Sequence, residues 1–188
     1  MAFSFLFASN VARMNPDIVR KKIKEGLTHL KICIELYKIQ IANNRYFLHK
    51  HPHSAWSWKT SHIAQLLNTP GVQKLVGHMC SHDMFVETPE GKKLAYKPTG
   101  WMSNSIHILK QVAIKCTGGH EHARLTQSRA ASAAVWPEGL CLAILRGLRK
   151  QLKHDGVMKD NIIGTICEDQ EEARDMSYHE HVYTNARY

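Results

Sequence analysis

An α/β layered fold is predicted for this 188-residue chain by three observations: long segments with apolar residues at helical spacing, short extended runs between them, and turn chemistry separating each from the next. A chain of this length suits one domain with a sizeable core.

In chain order, Asn15-Pro16-Asp17 predicts a helix start, with a capping Asn, a Pro at the first helical position and an acid where the helix dipole favours it. Ile23, Leu27, Leu30, Ile34, Tyr37 and Ile41 mark one buried face of that helix, which is expected to run to about residue 43. Tyr46 to His49 reads as a buried strand that stops in the polar cluster His49-Lys50-His51-Pro52. Ligands of open α/β folds bind beyond the carboxyl ends of strands, so this end is expected to face a site. Thr60 to Leu67 predicts a short helix ended by Thr69-Pro70-Gly71, and Val72 to Met79 a second strand. Glu87 to Gly91 is a turn, with extended pieces at Leu94–Tyr96 and Gly100–Ser103 and a short helix from Ser105 to Ile114. Trp136-Pro137 opens another helix, with Leu140, Ile144, Leu148 and Leu152 on its apolar face. Beyond Asp155 the apolar period fades, which divides the chain into a domain at 1–154 and an acidic, weakly ordered tail at 155–188.

Charge is unevenly placed. Residues 1–154 hold 22 Lys+Arg against 8 Asp+Glu, a net of +14, whereas residues 155–188 hold 3 against 8, a net of −5. A body this basic suits nucleic acid or another polyanion. No apolar run reaches the roughly 20 residues of a membrane span, so no membrane partner is expected. The five cysteines are scattered without a framework spacing, as reduced thiols are. An intracellular protein of cytoplasm or nucleus is the expectation.

The His51-Pro52 strand end, Met79-Cys80-Ser81-His82, Lys97-Pro98-Thr99-Gly100-Trp101-Met102-Ser103-Asn104, Cys116-Thr117-Gly118-Gly119-His120, Arg129 and Trp136-Pro137-Glu138-Gly139-Leu140-Cys141 occur in an order that resembles the downstream half of cytosine-C5 DNA methyltransferase-like proteins. Divergent versions of this kind, in viruses and mobile-element polyproteins, are the ones it resembles. The resemblance covers roughly residues 3 to 150, and its most specific part is the Lys-Pro-Thr block with Asn104. It implies a partial Rossmann-like layer fold, helices on a mixed sheet, expected to be truncated at its N-terminus.

In that family a cysteine thiolate attacks C6 of a flipped cytosine, a glutamate holds N3, and S-adenosylmethionine supplies the methyl group. Here Phe3-Ser4 is similar only to the end of the nucleophile loop, and Lys50 stands at the glutamate position. An ammonium cannot replace that carboxylate. The expectation is therefore a catalytically inactive remnant without catalytic residues or cofactor, which binds nucleic acid through Lys50, Lys97, Thr99, Asn104 and Arg129. An uncovered sheet edge would favour homo-oligomers. An active methyltransferase half completed by a partner chain is the competing enzyme reading. Trp56, Trp58 and Trp101 either stack on bases or pack in the core, with core packing favoured for Trp101.

A different chemistry is offered by His78-Met79-Cys80-Ser81-His82 and Cys116-Thr117-Gly118-Gly119-His120-Glu121-His122, whose thiolates and imidazoles suit a tetrahedral zinc site, although neither spacing is a standard zinc signature. Cys33 and Cys141 read as small packing residues of helices.

Overall fold

The computed structural model describes residues 11–125 and 133–158. Helix α1 spans Pro16–Ala42, and its Asn15 cap accepts a hydrogen bond from the Asp17 backbone N–H at 2.8 Å. Leu30 and Ile34 of the expected face are buried, and Leu27, Tyr37 and Ile41 pack beside them. Strand β1 follows at Leu48–Pro52, helix α2 at Ser61–Leu67 under a Thr60 cap, and strand β2 at Gln73–His78. Strands β3 (Phe85–Thr88) and β4 (Gly91–Ala95) form a hairpin whose turn ends at Gly91, a residue at φ +107° where a side chain would be strained. Strand β5 (Pro98–Ser103), helix α3 (Ile106–Val112), the two-residue strand β6 (His122–Ala123) and helix α4 (Glu138–His154) complete the order. None of these helices is long and apolar enough to cross a membrane.

The result is a mixed α/β fold with two small sheets. In the first, β5 lies between β1 and β2 and is antiparallel to both; in the second, β4 pairs antiparallel with β3 and parallel with β6. Successive side chains of a strand point to opposite faces, so each strand of the first sheet feeds two cores. Trp101, with Leu48 and Leu75 beside it, faces a cluster that includes Met79, Leu109, Val112 and Leu140. Met102 faces the opposite cluster of Leu30, Ile34, Phe47, Ile63 and Leu66.

Two expectations change here. The first strand does not stop at His49. Paired with β5 from Leu48↔Ser103 to Pro52↔Thr99, it runs through the polar residues, because an edge strand needs only one laddered side. The stripe of α4 is also turned by one residue. Leu140, Ala143, Gly147 and Gln151 are buried, while Ile144, Leu148 and Leu152 flank them. A Cβ on Gly147 would stand 2.6 Å from the Ile108 Cα, so the helices cross too closely for a large residue at the seam. Ser105 donates to the Gln151 side chain across that seam at 2.6 Å, which satisfies a buried amide. Just past the end of α4 at His154, Asp155 accepts hydrogen bonds from Tyr46 and Gln151; residues 159–188 of the expected tail lie outside the described residues.

The second core contains a buried histidine. His49 takes a 3.0 Å hydrogen bond between Nδ1 and the Tyr37 hydroxyl, and its Nε2 has no partner among the described residues. Burial first, then the neighbouring His51 and His29, push its pKa down to about 4. The unfolded chain titrates near 6.5, so protons bind the unfolded state more tightly. This stabilisation is complete above about pH 6.5 and is lost as pH falls toward 4. Chemical denaturation at pH 7 and pH 4.5 should show a loss about 2 kcal/mol larger for the wild type than for His49→Leu. Equal pH dependence in the two would contradict this role for His49.

Candidate metal centre and its surroundings

Cys80 lies in the 3-10 turn Met79–His82 that leaves β2, and Asp83 closes that turn at φ 59°. The chain returns to this point after α3. The Ile114 carbonyl accepts the His78 backbone N–H at 2.8 Å, and the Cys116 N–H donates to His78 Nδ1 at 3.0 Å. Gly118 and Gly119 follow at φ 85° and 77°, a reversal that β-carbons would resist. The reversal turns His120 and His122 back toward Cys116, and β6 fixes His122 by pairing it with Leu94.

Four ligand atoms meet as a consequence. One from each of Cys80, Cys116, His120 and His122 lie within 4.8 Å of one another. Cys116 Sγ is 3.5 Å from His120 Nε2 and 3.6 Å from His122 Nε2, and the two Nε2 atoms are 2.9 Å apart. Zinc bond lengths in a regular tetrahedron require S···N edges of about 3.5–3.6 Å and N···N edges of about 3.3–3.4 Å. The two sulfur–nitrogen edges from Cys116 already fit, the nitrogen pair needs to open by a few tenths of an ångström, and the Cys80 ligand atom lies within 4.8 Å of the other three.

The surroundings support the same arrangement. Tyr96 stands edge-on to His78 at 4.8 Å and tilted against His122 at 5.1 Å, so one ring braces both imidazoles. Gly118 N–H donates to Cys116 Sγ at 3.3 Å, a bond that a thiolate accepts better than a thiol. Burial and the adjacent Cys116 raise the pKa of the Cys80 thiol. A divalent cation reverses that penalty by favouring both thiolates. Burial and His120 lower the pKa of His122, which keeps its imidazole in the neutral form a metal takes.

No family model, curated protein or solved structure matches the chain.

The histidines flanking Cys80, offered by the sequence as ligands, have other tasks. His78 positions Cys116, and His82 is buried with Nε2 hydrogen-bonded to the Val112 carbonyl at 3.1 Å. Cys141 is exposed rather than packed, because the turned phase of α4 points it outward.

The residues expected to bind nucleic acid separate into two groups. Thr99 is fully buried and donates to the Lys97 carbonyl at 3.1 Å. Asn104 accepts the Phe47 N–H at 3.1 Å and donates to the Arg45 carbonyl at 3.0 Å, tying the start of β1 to the end of β5. Both roles are structural, and they give the Lys-Pro-Thr block a reason within the fold. Lys50 and Lys97 are half-buried and close enough to repel each other. Arg129 lies outside the described residues. Trp101 is a core residue, Trp58 packs over Gly100 with its indole donating to the Pro52 carbonyl at 2.8 Å, and Trp56 is exposed.

Proposed function

We propose that this chain is a zinc-stabilised α/β binding module in which Cys80, Cys116, His120 and His122 hold one Zn²⁺ in a closed, structural site. The convergence of two sulfurs and two imidazole nitrogens within 4.8 Å carries the reading. Two thiolates with two imidazoles is a donor set that selects zinc over the hard cations, and four protein ligands leave no open position for a reacting water. The metal would join the exit of β2, the loop after α3 and strand β6. The loop needs such a fastening, since most of residues 114–121 are exposed and contribute little to either core.

The test is metal content after purification without chelators, followed by reconstitution with equimolar zinc or cobalt. One equivalent of zinc, and a tetrahedral thiolate spectrum with cobalt, are expected. Less than a tenth of an equivalent after reconstitution would rule the site out.

Polyanion binding is a second reading, supported by the net charge of +14 on residues 1–154. Descent from a cytosine-C5 methyltransferase-like domain, with its Rossmann-like layer, rests on the motif order alone. The first sheet is antiparallel and the second mixed, and neither adds support for a Rossmann-like layer. No methyl-donor site is assigned. Of the two edge strands of the first sheet, β1 and β2, β1 carries Lys50 and Pro52, residues that blunt self-association through an edge.

A further inference from the structure

We infer that Lys50, Lys97 and the Trp101 indole form a binding site for a phosphate-type oxyanion beside Trp136. The inference rests on the polyanion reading and gives it a place and a chemistry. Lys50 on β1 is directly opposite Trp101 on β5, so the two side chains leave the same face of the sheet. The Lys50 ammonium lies 5.3 Å from the centre of the Trp136 ring, and Trp136 stands edge-on to Trp101 at 6.4 Å. Lys97, which enters β5 from the other side of Pro98, reaches the Ala133 carbonyl with its Nζ at 2.6 Å, just before Trp136. The loop from Ala133 to Trp136 therefore closes over both lysines.

Every polar side chain in this group is a donor. Two ammonium groups are half-buried without a carboxylate partner among the described residues, and the indole N–H of the fully buried Trp101 has no acceptor. Buried positive charge and an orphaned N–H are costly unless an acceptor is supplied. Burial and Lys97 push the Lys50 ammonium down to about 8, the response of a cation that lacks a counter-ion. A phosphate group offers three or four acceptor oxygens and the missing negative charge, and the exposed face of Trp136 would let an attached base stack. The phosphate could belong to a polynucleotide or be free in solution.

The zinc-loaded full chain should be titrated separately with inorganic phosphate and with labelled single-stranded DNA at several salt concentrations. Lys50→Met, Lys97→Met and Trp101→Phe keep the apolar bulk, and Lys59→Met is the exposed control. Each lysine substitution should weaken DNA binding about tenfold and reduce the salt slope by about 0.7, while Lys59→Met leaves the affinity within twofold. Trp101→Phe should weaken phosphate and DNA alike by a few fold. Salt-dependent DNA binding that none of the three substitutions alters would overturn the site and leave the polyanion reading standing. Phosphate binding lost in the variants, with no DNA binding by the wild type, would support the site and remove the polyanion reading. A wild type that binds neither would overturn both.

Discussion

Stripping zinc from the loaded chain is expected to disorder the segment between α3 and β6, and to lower the stability of the whole domain by about 4 kcal/mol relative to protein in roughly 1,000 times the dissociation constant of free metal. The size follows from linkage, since a ligand that binds only the folded state stabilises it by RT ln(1 + [L]/Kd). The location follows from the structure. Without metal, the segment is held by the Ile114 carbonyl, the Cys116 N–H to His78, and the short ladder of β6 on β4. Hydrogen exchange should show residues 114–121 losing protection first in chelator, while α1 and α2, which pack in the other core, respond only through the global equilibrium. Cys116→Ser should reproduce the effect of chelator, and Cys141→Ser, at an exposed position, should not. Superimposable unfolding curves in zinc and in EDTA would be incompatible with a structural metal.

Gly77→Ala is expected to cost about 2–4 kcal/mol, the range of severe overpacking, and to weaken zinc binding at the same time. A Cβ at this position would stand 2.4 Å from the Val112 carbonyl oxygen and 2.8 Å from the Ala113 Cα. Both obstacles are backbone, so no rotamer change relieves them, and either β2 or the end of α3 must move. That end leads within four residues to Cys116, whose place is set by His78, the residue after Gly77. A displacement that relieves the clash therefore draws Cys116 away from Cys80. Thermal denaturation and a competitive zinc titration measure the two effects separately. Loss of stability with unchanged metal affinity would show that the site is not coupled to this contact.

The helices were largely legible because their signals are local. The Asn15 cap and Pro16, the Thr60 cap and the Ser105 cap each satisfy backbone donors within three residues, and each begins a helix where expected. The strands were less so. Strand β6 is two residues long and exists only because β4 is beside it, and β3 shares its sequence with what reads as a turn. The polar end of β1 misled for a related reason. Alternation directs His49 toward Tyr37 and Lys50 toward Trp101, so a run that looks like a loop has each side chain accommodated on a different face.

The sequence by itself determined the α/β class, the start of each principal helix, the basic body and the stock of thiols and imidazoles. Their combination was decided only by tertiary structure. Cys80 belongs with Cys116, His120 and His122 because the close approach at Gly77 brings the end of α3 against β2 and the paired glycines turn the chain back. Ligand choice among neighbouring histidines depends on which imidazole nitrogen reaches a common point in space. A contact between positions 36 residues apart leaves no periodicity in a single chain, and so His78 and His82 looked as suitable as His120 and His122 until the fold placed them.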